Sequence, residues 1–143
     1  MKIAKIRDVK TPTRGTQGSA GIDFYVPNDY PNSLRRVAPG ERFFIPSGVK
    51  ANVPEGYALI AMNKSGVALK KGLMVGACVV DSDYQGELMI SCWNRSVNEY
   101  IINPLDRIAQ LVFIRVEHPR FEIVDAFDQT DRGDKGFGSS GTK

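Results

Sequence analysis

The chain has 143 residues, enough for one domain with a real core. Its 42% hydrophobic and 24% charged residues are typical of a globular protein and exclude a disordered one. The net charge of +3 is too mild to indicate a nucleic-acid partner, although it allows a local basic pocket for a small anion. The sequence lacks an apolar stretch long enough to span a membrane, and its start lacks the apolar core of a signal peptide. We therefore predict no membrane partner and a cytoplasmic location, or the host cytosol if the source is viral.

The predicted elements are almost all strands. Residues 2–9 alternate apolar and charged side chains, as in a half-buried strand, whereas residues 28–39 are predicted as a surface excursion. Short apolar runs between Gly and Pro turns predict further strands at residues 42–45, 49–53, 57–62, 75–80, 88–93, 100–103, 107–116 and 121–124. Residues 63–72 break this pattern and predict one or two helical turns. Together these elements predict an all-β fold, either a barrel or a jelly-roll-like sandwich.

Two of these runs, 75–80 and 88–93, flank the turn sequence DSDYQG and predict a β-hairpin. Asp81 ends the first run, and an acid there is held in the partly desolvated setting that suits a general base. Aspartate is also common in turns for backbone reasons alone. Cys78 and Cys92 lie inside the two runs, where buried free thiols are the preferred interpretation and a cross-strand disulfide is the alternative.

The composition changes at residue 125, which predicts a β domain over residues 1–124 and a flexible C-terminal arm over residues 125–143. The arm ends in DRGDKGFGSSGTK, with four glycines and two serines. Glycine backbones can direct several N–H groups at one anion, and Arg132 can bind a phosphate bidentately. The alternative is an unstructured Gly/Ser tail.

Five pieces of the chain, in order, resemble the motifs of the homotrimeric dUTP pyrophosphatases, or dUTPases. They are AGIDF at 20–24, KSGVALKKG at 64–72, VGACVVDSDYQGE at 75–87, DRIAQL at 106–111 and RGDKGFGSSG at 132–141. The resemblance implies an all-β, jelly-roll-like β-clip fold. It also implies a homotrimer whose active sites are shared between subunits and closed by the glycine-rich arm.

The implied reaction is the dUTP diphosphatase reaction, hydrolysis of dUTP to dUMP and pyrophosphate. This reaction keeps uracil out of DNA and supplies dUMP for dTMP synthesis. The resemblance implies Mg²⁺ as cofactor, held mainly by the triphosphate and without a direct protein ligand. Asp23 is expected near the water shell of the metal or in a structural role, and Arg107 as a salt-bridge partner inside the trimer.

The resemblance also implies catalytic and binding roles. Asp81 is the catalytic base that activates the water attacking the α-phosphate, and Gln110 lies near that water and phosphate. Tyr84 packs against the deoxyribose and leaves no room for a 2′-hydroxyl. The remaining substrate-binding residues fall into three sets. Ala77, Val79, Val80 and Met89 recognise uracil through the backbone, and Lys64, Ser65 and Gly66 meet the α/β phosphates. Arg132, Gly138, Ser139 and Ser140 hold the β/γ phosphates, with Phe137 stacked on uracil.

The chain departs from the family pattern at four positions. Lys64 replaces the usual arginine and loses its bidentate fork. Asn63 stands where proline is common, and Cys78 and Lys135 replace frequent glycines. The departures at Lys64 and Lys135 keep open the alternative of a dUTP-binding regulatory trimer with weak turnover. The second alternative is a relative of the dCTP deaminases, which share the fold.

Overall fold

The computed structural model describes residues 1–77, 79–130 and 133. Within these ranges the chain forms eleven strands and one short helix. The strands are β1 Lys2–Lys5, β2 Gly21–Asp23, β3 Arg35–Val37, β4 Arg42–Pro46, β5 Val49–Asn52, β6 Tyr57–Asn63, β7 Leu73–Val75, β8 Val79–Val80, β9 Met89–Asn94, β10 Tyr100–Ile102 and β11 Ala109–Arg115. The helix, α1, is Ser65–Lys71.

Two larger antiparallel sheets enclose the core, a four-stranded sheet in the order β2-β11-β6-β8 and a three-stranded sheet in the order β4-β9-β7. Leu111 pairs with Ala61 in the first, and Phe43 with Cys92 in the second, and all four residues are buried. Two small sheets, β1-β5 and β10-β3, complete the fold. The predicted all-β, jelly-roll-like class is confirmed.

The helix forms where the β pattern breaks. Its seven residues make about two turns, as predicted. It ends because Gly72 adopts the left-handed conformation, with φ of 67°, and donates its N–H to the carbonyl of Ala68. A side chain at Gly72 would also meet Ser96 at 2.7 Å, so glycine is required there.

The predicted hairpin at 75–80 and 88–93 is only partly right, because its first strand divides between the two sheets. β7 pairs with β9 through Val75 and Cys92, whereas β8 pairs with β6. The chain changes sheets just after Gly76, whose N–H donates to the carbonyl of Ser91 at 2.8 Å. A continuous apolar run carries no signal for such a change of partner.

Two other predictions need correction. The surface excursion at 28–39 contains strand β3, which pairs with β10. The predicted last strand at 121–124 is wrong, since this segment pairs with no strand among the described residues and Phe121 and Ile123 are 93% and 98% exposed. A strand needs a neighbour for its backbone groups, which a run of apolar residues cannot supply by itself.

The thiol of Cys92 is free and buried, as predicted, and burial raises its pKa to about 12. Cys78 lies outside the described residues. No helix in the described part of the chain is both long and apolar enough to cross a membrane.

Candidate active site

A cavity of about 210 Å³ opens at the turn between β8 and β9. Its wall and floor are apolar, and its mouth carries Asp81 and Tyr84, both exposed. The partly desolvated setting predicted for Asp81 is therefore not seen in the isolated chain. The other lining residues are Ala61, Ala77, Val79, Val80, Leu88, Met89, Ile90 and Leu111. The structure therefore brings together all the described residues predicted to contact the base and the sugar, with the predicted catalytic base beside them.

The turn that carries Tyr84 is held by hydrogen bonds of Tyr84 and Glu87. The Tyr84 hydroxyl donates to the carbonyl of Glu87 at 2.8 Å, and its ring lies over Gly86, where an added Cβ would lie 2.4 Å from the hydroxyl. The Glu87 carboxylate accepts hydrogen bonds from the Gly48 N–H at 2.8 Å and from the Arg7 guanidinium at 3.1 Å. Glu87 thus anchors the turn, and Asp81 is the acid of this turn that lines the cavity.

A second polar cluster surrounds Asp23, whose side chain is 5% exposed. One carboxylate oxygen meets Lys64 Nζ at 2.5 Å, and the other meets Arg107 Nη1 at 3.2 Å. Arg107 is therefore a salt-bridge partner within its own chain. Because both Asp23 oxygens already face a cation, the geometry favours the structural alternative for Asp23 over the metal's water shell.

Gln110 lies beside this cluster, opposite Asp23 in the β2-β11 ladder. Its Nε2 donates to the carbonyl of Asn63 at 3.0 Å. An added Cβ at Gly21 would lie 2.2 Å from Gln110 Oε1, so the glycine leaves room for this side chain. Lys64 occupies the N-cap position of α1 but its side chain makes no capping hydrogen bond, and the first helical residues, Ser65 and Gly66, are exposed.

Asp81 and Gln110 themselves lie near opposite ends of β6, although the cavity lining extends along the strand to Ala61. Val80 pairs with Leu59, and because the strands are antiparallel Asp81 continues away from Asn63. In this register Asp81 lies level with Ala58 of β6. Gln110 pairs with Met62, four residues further along the same strand. At the rise of a β-strand this separates Asp81 from Gln110 by roughly 13 Å along β6. Within one subunit the structure does not bring the two predicted catalytic residues together.

Several predicted residues lie outside the described part of the chain: Arg132, Lys135, Phe137, Gly138, Ser139 and Ser140. Among residues 1–77, 79–130 and 133, no three His, Cys, Asp or Glu side chains form a cluster that could hold a metal ion.

The profile of the dUTPase family matches residues 7–141, almost the whole chain. The chain belongs to the dUTPase family. The predicted family is therefore confirmed, and so is the predicted enzyme class, that of the dUTP diphosphatases.

Curated relatives support this assignment over nearly their full length. The deoxyuridine 5′-triphosphate nucleotidohydrolase of Burkholderia lata is 45% identical over 141 residues, which cover 96% of this chain and 93% of the relative. The enzyme of the same name from Shewanella baltica is 45% identical over 135 residues, 92% of this chain and 87% of the relative.

Solved structures agree with the fold. The dUTPase of Staphylococcus bacteriophage 80alpha with bound dUpNHpp superposes with a TM-score of 0.86 at 26% identity, over 98% of this chain and 97% of that one. A mutant dUTPase of S. aureus phage phi11, in which a structural Mg(II) ion is coordinated, has a TM-score of 0.78 at 22% identity, over 90% of this chain and 98% of that one.

This dUTPase family member also contains a contact that sequence reasoning missed. Asn63, considered only as a departure from the family pattern, contacts both Gln110 and the backbone of Val75. The only sequence signal was the residue type, since an asparagine at a strand end can hydrogen-bond to neighbouring backbone.

Proposed function

We propose that the protein hydrolyses dUTP to dUMP and pyrophosphate in a homotrimer, with each active site drawing residues from more than one subunit. The observation that carries the proposal is the cavity between β8 and β9, with Asp81 and Tyr84 at its mouth, in a member of the dUTPase family. The reaction would keep uracil out of DNA and supply dUMP for dTMP synthesis.

The cavity suits a pyrimidine base. Its floor is apolar, and the backbone of Ala77, Val79, Val80 and Met89 borders it. Backbone N–H and C=O groups at fixed positions can form hydrogen bonds with the polar edge of uracil, while a narrow pocket would exclude the methyl group of thymine. Tyr84, held by its bond to Glu87, would pack against the deoxyribose and exclude a 2′-hydroxyl.

Asp81 would act as general base. Its carboxylate is exposed at the mouth, where it could accept a proton from the water that attacks the α-phosphate. General-base help of this kind contributes about two to four orders of magnitude in rate.

The separation of Asp81 from Gln110 supports a shared site. Both side chains are expected at the same α-phosphate and attacking water, which the two side chains of one subunit cannot share when they lie roughly 13 Å apart along β6. A neighbouring copy could present its Gln110, Ser65 and Gly66 to the phosphates of a dUTP molecule whose base occupies the first copy's cavity. A closed ring with threefold symmetry satisfies this arrangement in every copy.

Mg²⁺ would enter with the substrate, bound to the triphosphate oxygens, where it neutralises charge on the phosphates. The substrate would supply most of the metal's ligands, because the described residues offer no cluster of three ligands. The carboxylate of Asp23 is already paired with Lys64 and Arg107. Lys64, which faces Asp23, would contribute to phosphate binding chiefly through its charge.

The arm would complete the site. Residues 125–143 would form a flexible segment apart from the β domain of residues 1–124. We infer that Arg132, Gly138, Ser139 and Ser140 hold the β/γ phosphates and that Phe137 covers the uracil and excludes water. Removal of residues 132–143 should then lower the rate of dUTP hydrolysis while the β domain stays folded.

The first experiment measures pyrophosphate release from dUTP with Mg²⁺. The wild-type protein should release pyrophosphate, and Asp81→Asn should reduce the rate by at least about a hundredfold. Unchanged turnover in Asp81→Asn would refute the mechanism. Ammonia release from dCTP would favour the deaminase alternative, and tight dUTP binding with negligible turnover would favour the regulatory one.

The second experiment tests the shared site with mixed trimers. Asp81→Asn and Gln110→Ala variants, each inactive alone, are unfolded together in equal amounts and refolded. If each site takes Asp81 and Gln110 from different subunits, random mixing restores about a quarter of the sites. Mixing should restore nothing if both residues act within one subunit. Refolding each variant alone is the control.

A further inference from the structure

Asn63 makes hydrogen bonds in two directions from the end of β6. Its backbone carbonyl accepts from Gln110 Nε2 at 3.0 Å, and its side-chain Oδ1 accepts from the Val75 N–H at 2.7 Å. Both bonds are partly buried, and they join positions 47 and 12 residues apart in sequence. Asn63 thus links the Gln110 cluster to the strand that leads into the cavity.

The Val75 bond lies where that strand leaves its sheet. Val75 is the last residue of β7, and the next N–H, that of Gly76, donates to the carbonyl of Ser91 at 2.8 Å. Ala77, the following residue, already lines the cavity. Two consecutive N–H anchors, one to Asn63 and one to Ser91, therefore set the path by which the backbone enters the cavity wall.

We propose that Asn63 is a positioning residue that fixes the cavity wall through Val75 and thereby sets the selectivity for the base. This proposal rests on the proposed function of the cavity as the uracil site. Asn63 does not line the cavity itself, so it acts through the backbone of residues 75–77 and not by contact with the substrate.

The geometry requires an acceptor at this position. Leucine has nearly the shape of asparagine but no acceptor, so it would leave the partly buried Val75 N–H without its partner. Aspartate keeps an oxygen at the same place. Loss of such a bond changes an equilibrium by about five- to tenfold. The Gln110 bond uses the Asn63 backbone carbonyl and is kept in both variants.

The test compares Asn63→Leu, Asn63→Asp and, as a control, Asn32→Leu in the exposed segment before β3. Steady-state kinetics with dUTP, dCTP and dTTP give kcat and KM for each. For Asn63→Leu we expect KM for dUTP to rise about five- to tenfold with kcat within about twofold, and the preference for dUTP over dTTP to fall. Asn63→Asp should keep the base preference of the wild type, as should Asn32→Leu.

Hydrogen exchange supplies a readout independent of turnover. The peptide spanning residues 73–77 should exchange faster in Asn63→Leu and at the wild-type rate in Asn63→Asp. The inference is overturned if Asn63→Leu keeps the KM and base preference of the wild type, or if Asn63→Asp loses them equally. A wild-type protein that releases no pyrophosphate from dUTP would instead refute the proposed function, while the exchange result would still test the bond.

Discussion

Replacing Asp23 by asparagine should destabilise the protein more than any change to a surface ion pair. The carboxylate lies between Lys64 and Arg107, and its side chain is 5% exposed. Asparagine keeps the shape but removes the negative charge, which leaves two cations close together without a counter-charge.

The exposure of the two cations sets the magnitude. Arg107 is 52% exposed and can be solvated again, so its pair contributes no more than about 1 kcal/mol. Lys64 is 23% exposed, and breaking a mostly buried pair of this kind costs about 3 kcal/mol. In a domain of this size a loss of about 3 kcal/mol lowers the melting temperature by roughly 10 °C.

Thermal and urea unfolding of Asp23→Asn measure this loss. Asp29→Asn is a matched control, because the Asp29–Arg7 pair at 3.3 Å is exposed and its loss should cost less than about 1 kcal/mol. The double variant Asp23→Leu/Lys64→Met removes both charges and should recover part of the stability. A melting temperature of Asp23→Asn within about 2 °C of the wild type would refute the reasoning.

Other predictions follow from close contacts and from burial. Gly21→Ala should displace Gln110 and lower kcat by about tenfold or more, with the KM for dUTP less affected. Gly86→Ala should displace Tyr84 and weaken the discrimination between dUTP and UTP by about tenfold, measured as the ratio of their kcat/KM values. Burial raises the pKa of Cys92 to about 12, so native protein at pH 8 should resist iodoacetamide while urea-unfolded protein is alkylated, as mass spectrometry would show. Because this pKa is raised from 9, the unfolded state loses the thiol proton first, and stability should fall from pH 9 to about 12 with a slope that Cys92→Ala reduces by about 1.4 kcal/mol per pH unit. Rapid alkylation of the native thiol, or an unchanged slope in Cys92→Ala, would contradict these last two expectations.

The fold class, the family and most residues of the cavity could be predicted from the amino-acid sequence. Short β-branched runs between Gly and Pro turns favour an all-β domain, and the motifs occur in the order of the dUTPase family. Most of the cavity lining comes from the single segment 77–90, so residues adjacent in sequence are adjacent in the site. The motif resemblance could therefore point to Asp81 and Tyr84, which line the cavity, without coordinates.

The way in which the segments meet is visible only in the three-dimensional structure. The structure divided the run at 75–80 between two sheets and placed Asp81 and Gln110 near opposite ends of β6. It also left residues 121–124 without a partner in the part of the chain that the structure describes. These outcomes depend on pairings between strands far apart in the chain, and the alternation of residues within one strand carries no information about its partner. The bond from Asn63 to Val75 has the same origin, because a single hydrogen bond across 12 residues leaves no periodic pattern in the sequence.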